Sequence, residues 1–91
     1  RLRVFPNPAR TGDVVTLSYE GAPPLKSEHC EVRLFNIKGQ ELYSGRANRH
    51  HKGQGFELPK EAFDRLPAGI YLISLNPGNG KTATARLVVV E

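Results

Sequence analysis

Apolar and polar residues alternate in short runs along this chain of 91 residues. Val15, Leu17 and Tyr19 alternate with Thr16 and Ser18, and Cys30, Val32 and Leu34 alternate with Glu31 and Arg33. In a third run Tyr71, Ile73 and Leu75 share one face, with Ile70, Leu72 and Ser74 on the other. A period of two marks a half-buried strand, because successive side chains leave opposite faces of a pleated backbone. The same reading predicts strands at Leu2–Phe5, Glu41–Gly45, Phe56–Leu58 and Thr82–Val90. Pro6 and Pro8 stop the first strand, since proline has no N–H to give a ladder. Asn36-Ile37-Lys38-Gly39 reads as a hairpin loop, with Gly39 supplying a positive φ. Lys60 to Leu66 is expected to form one helical turn whose Ala62, Phe63 and Leu66 cover an open end of the core. Residues 46–53 are polar and are expected to form an exposed loop. Val88-Val89-Val90 is apolar on both faces, which predicts a central strand or an outer face that meets a partner. Short strands at this spacing predict an all-β, immunoglobulin-like antiparallel β-sandwich of about seven strands.

Length and composition narrow this further. Residues 1–91 make one domain with one modest core. No apolar run is long enough for a helical membrane span. The chain starts at Arg1 without an initiator Met or an apolar leader, as expected of a fragment of a longer protein. Its one cysteine, Cys30, cannot make an internal disulfide, so the fold must stand on packing. The net charge is +4, with the excess mostly around Arg46, Arg49 and Lys52 and with His50 and His51 between them.

Candidate chemistry is thin. Gly78-Asn79-Gly80-Lys81-Thr82 resembles the end of a phosphate-binding loop. That motif needs a glycine where Leu75 stands, and a helix where a strand is predicted, so a hairpin turn is the better reading. His29, Cys30, His50 and His51 lack the paired, repeated spacing of zinc ligands, and Cys30 belongs on an inner face. No nucleophile stands in an activating motif. Glu57, Glu61 and Asp64 share a charged, exposed segment with Lys60 and Arg65. The basic patch flanked by Tyr43 and Phe56 could face a nucleic acid, but Phe56 is better placed in the core and a solvated loop is the simpler reading. The expectation is therefore a chain with no catalytic residues, no metal, no cofactor and no nucleic-acid partner.

Three motifs in fixed order remain. Pro6-Asn7-Pro8 opens the chain. Val32, Leu34, Asn36, Gly39 and Leu42 mark the middle one. Leu66-Pro67-Ala68-Gly69-Ile70-Tyr71 with Ile73 forms the third. The segment Lys81 to Glu91, with Arg86, Leu87, Val88, Val89, Val90 and Glu91, closes the chain. The ordered set resembles the C-terminal sorting domain of the type IX secretion system over nearly the whole chain. Members of that family often carry Asp where Asn36 stands, a basic residue where Gln40 stands, and Lys or Arg where Glu91 stands.

The resemblance implies a secretion signal and not an enzyme. It implies a cargo domain ahead of this one, carried into the periplasm by its own signal peptide. Its partners would be the outer-membrane translocon, a shuttle protein that engages the signal, and a surface sortase that cuts before the domain. The cargo would end at the outer-membrane surface or secreted. Recognition is expected to rest largely on Lys81 to Glu91, offered by edge pairing. The free thiol and an exposed terminal strand leave dimers by strand exchange or edge pairing open. The alternative is an accessory β-sandwich module binding carbohydrate or protein. With no Trp, and only Tyr19, Tyr43 and Tyr71, an aromatic platform for sugar is poorly supplied.

Overall fold

The computed structural model describes residues 2–19, 29–49, 55–76 and 82–91. In chain order the elements are β1 (Leu2–Phe5), β2 (Ala9–Arg10), β3 (Thr16–Tyr19), β4 (His29–Asn36), β5 (Glu41–Arg49), β6 (Gly55–Glu57), α1 (Lys60–Phe63), β7 (Gly69–Asn76) and β8 (Ala83–Val90). Hydrogen bonding links the strands in the order β1-β3-β6-β5-β4-β7-β8-β2, and the ladder folds over into two packed sheets. The domain is an all-β sandwich. Among the described residues, β5 pairs with β6 through Asn48↔Glu57 and Arg49↔Phe56.

The predicted inner faces are the observed ones. Leu17, Val32, Leu34, Phe56, Ile73, Leu75 and Leu87 are fully buried in a single core. Cys30 is buried beside them as a free thiol. The helical turn is confined to Lys60–Phe63, and Ala62 and Phe63 close the end of the sandwich with Leu66 packed against them. Such a short helix gains little from its own hydrogen bonds, so its packing holds it.

Two expectations need correction. Residues 46–49 are not a loop: β5 runs on to Arg49, with Ala47 fully buried opposite Cys30. Its inner face is built from Tyr43, Gly45 and Ala47, so small side chains hide the alternation that would have marked a strand. The Tyr43 ring fills the space over Gly45, where any Cβ would collide with it. The second correction is β2. This eighth strand, two residues long, pairs in parallel with β8 through Ala9↔Val89 and Arg10↔Val90, so the sandwich is not wholly antiparallel. The predicted loop residues 50–53, the Gly21–Pro24 break and the Pro77–Gly80 turn lie outside the described residues.

Gly55 shows how closely β6 lies against β3. It is buried in β6 opposite Ser18. A Cβ there would come within 2.7 Å of the Leu17 carbonyl oxygen, a backbone atom that cannot step aside without parting β3 from β6.

Candidate recognition surface

The opening and closing motifs meet in space. Pro6 and Pro8 turn the chain away from β1 and present Asn7 to the outer edge of β8. Asn7 Nδ2 donates to the Arg86 carbonyl at 2.8 Å, and Val88 N donates to Asn7 Oδ1 at 2.9 Å. A primary amide carries an N–H and its C=O on the same side, so this side chain bonds the strand edge at two points, as a paired strand residue does. Directly after it, β2 pairs with the last two residues of β8, and Arg10 Nη1 donates to the Glu91 carbonyl at 2.7 Å. A turn fixes β2 from behind: Asp13 Oδ2 accepts from Arg10 N at 2.7 Å, and Gly12 takes a φ of +95°.

This arrangement divides the closing residues into two sets. Leu87 and Val89 are buried in the core, whereas Arg86 and Glu91 are exposed and Val88 and Val90 are half-buried on the outer face. Ile70 lies opposite Val88 on that face. The terminal strand is therefore not a bare edge from Arg86 onward: β7 takes one side, and Asn7 with β2 takes the other. Lys81 lies outside the described residues.

The middle motif is a core strand followed by a self-bonded turn. Val32 and Leu34 are fully buried on β4. Asn36 Oδ1 accepts from Lys38 N and Gln40 N, each at 3.0 Å, and the Asn36 carbonyl accepts from Gly39 N at 3.0 Å. Asn36 Nδ2 donates to Gln40 Oε1 at 2.8 Å. Two of the three departures from the resembled pattern, Asn36 and Gln40, thus occupy the two ends of one hydrogen bond. Gly39 takes a φ of +85° with open space around its Cα. Gly39→Ala is expected to cost about 1–2 kcal/mol from backbone strain alone, read as a lower urea midpoint. An unchanged midpoint would show that the turn can relax without glycine.

The third motif is a hydroxyl lock. Tyr71 is buried on β7, and its hydroxyl donates to the Pro67 carbonyl at 2.6 Å, fixing the connection from α1 to the strand. Gly69 is the first residue of β7, paired with Val89, and a Cβ there would meet only the Tyr71 ring at ordinary contact distance. Nothing in the structure requires glycine at 69.

The remaining candidates are not brought together. Arg46 is exposed on β5, while the neighbouring Tyr43 turns inward and Phe56 is core, so no aromatic interleaves the basic patch among the described residues. His50, His51 and Lys52 lie outside them. Among the described residues no three of His, Cys, Asp and Glu gather closely enough to hold a metal, and no helix is long and apolar enough to cross a membrane.

The ordered motifs thus fasten the segment after β1 to the closing strand. A family model described as the secretion system C-terminal sorting domain matches residues 3–90, and the chain belongs to that family, the sorting domains of type IX secretion. No curated protein matches the sequence.

Proposed function

We propose that this domain is a non-catalytic signal, read by the type IX machinery as a folded surface and removed by a sortase once its cargo has crossed the outer membrane. The supporting observation is the family match over residues 3–90 together with the way the motifs are used. They build one continuous object, with Asn7 and Arg10 bonded to the backbone of the closing strand. A cargo domain precedes this one and brings it into the periplasm. The shuttle protein and translocon then meet the outward residues Arg86, Val88, Val90 and Glu91 beside Asn7 and Arg10. A self-sufficient core suits this task, because the presented surface is then the same whatever passenger is attached.

The test is a fluorescent reporter with a signal peptide, joined ahead of residues 1–91, in a host with the type IX machinery and in a mutant without it. Reporter at the surface or in the medium only when the machinery is intact is the expected result. Reporter held in the periplasm of both hosts would overturn the reading and favour an accessory binding module. Truncation is a poor substitute for this test. Removing Leu87 to Glu91 takes the core side chains of Leu87 and Val89 with it, so lost export would report unfolding as readily as lost recognition.

A further inference from the structure

The middle and third motifs also converge, on a surface away from the β8 edge. Between the β4–β5 hairpin and the connection from α1 to β7 lies an open groove of about 570 Å³. Leu42, Tyr43, Leu66, Pro67 and Tyr71 form most of its apolar lining. This volume falls within the range of sites that hold small ligands or anchoring side chains. Leu42 stands at the groove with 47% of its surface exposed.

The polar groups of the lining are largely spent. The Tyr71 hydroxyl is held by Pro67, and the Asn36 amide by its own turn. The Tyr43 hydroxyl points to Glu61 Oε1 at 3.4 Å. Burial and the adjacent Glu61 carboxylate both push the Tyr43 phenol above its ordinary pKa, so it stays protonated at neutral pH. What the groove offers a visitor is mainly carbon.

The charges around it are unequal in availability. Glu61 already faces a donor, and it opposes an anion near Tyr43. Arg65, four positions further along, is exposed and makes no ion pair or hydrogen bond among the described residues. A solvated guanidinium beside an apolar groove is complementary to a carboxylate next to an apolar anchor, since Arg binds carboxylates in a planar fork. The lining includes side chains from β4, β5, β7 and the connection after α1, and recognition there would run through them.

We propose that this groove is a docking site for a segment of a protein partner that carries an apolar or aromatic anchor beside an acidic residue. The anchor lies against Leu42, Leu66 and Tyr71, and the carboxylate pairs with Arg65. For its biological setting the proposal rests on the export reading; the groove itself does not depend on it.

The test is titration of the isotope-labelled chain with two seven-residue glycine–serine peptides, one with a central phenylalanine–glutamate pair and the other with phenylalanine–lysine. The expected result is amide shifts at Leu42, Tyr43 and Leu66, with the glutamate peptide binding several-fold more tightly. Arg65→Glu should reverse that preference, and Leu42→Ser should weaken both peptides while leaving the melting curve near wild type. No shift at these positions, or equal response to the two peptides, would overturn the proposal. The reporter assay separates the two readings. Wild type exported with both variants retained supports the groove as an export contact. Wild type and both variants exported alike, despite a folded domain, rejects that role. Wild type itself retained counts against the export reading, and the titration then decides the groove alone.

Discussion

Phe56→Ala is expected to lower the stability of this domain by about 3–5 kcal/mol, the usual cost of removing a buried aromatic side chain. Phe56 is fully buried in a strand of only three residues. Its backbone pairs with Leu17 of β3 on one side and Arg49 of β5 on the other, so it links these two strands. A domain of this size holds about 5–14 kcal/mol of net stability, at 0.05–0.15 kcal/mol per residue. No disulfide or metal is visible among the described residues to supplement that. The variant should melt tens of degrees lower, since each kcal/mol moves the midpoint by about 4–8 °C at this length. A drop of only a few degrees in a circular dichroism melt would show that the core collapses onto the gap. If the machinery reads a folded surface, the same variant should also leave cargo in the periplasm at the growth temperature.

What was legible in the sequence was what alternation encodes. Strands with one large apolar face, such as Cys30–Leu34 and Ile70–Leu75, declare themselves because burial on one side and water on the other impose a period of two. The far end of β5 does not, since its inner residues are Gly45 and Ala47 and its other positions are polar. β2 carries no local signal at all: two residues cannot show a period, and their pairing depends on a strand about 80 positions away. The motif residues were legible as a set but not as a mechanism. Asn7 was visible between two prolines, yet nothing nearby reveals that its amide closes on Arg86 and Val88. Asn36 and Gln40 stand four positions apart in the sequence, and only the turn geometry shows their amides bonded to each other. Val88 to Val90 read correctly as apolar on both faces, with one face entering the core and the other lying beside Ile70. The groove at Leu42 joins segments about 30 residues apart, which no linear pattern connects.

Asn7→Ala is expected to loosen the closing strand without unfolding the sandwich. The substitution removes the donor to the Arg86 carbonyl and the acceptor for the Val88 amide. Two such bonds contribute about 1–3 kcal/mol together, toward the lower end here because water can reach the site. The effect should be local. β7 still holds the other side of β8 through Gly69↔Val89 to Leu75↔Ala83, and Leu87 and Val89 keep their place in the core. Hydrogen exchange at the Val88 amide should therefore quicken by about five- to tenfold, from roughly 1–1.4 kcal/mol of lost protection, while the amides facing β7 change little. Asn7→Asp should be at least as damaging at pH 7. It keeps the acceptor, loses the donor, and sets a carboxylate oxygen against the Arg86 carbonyl. The uncapped variants expose Arg86 and Val88 as a pairing edge, so they should self-associate at concentrations where wild type stays monomeric. Unchanged exchange at Val88 would mean that β2 alone holds the edge. If the edge does open but export continues at the wild-type rate, then the machinery does not depend on the capped form of the terminal strand, and recognition must rest on residues away from it.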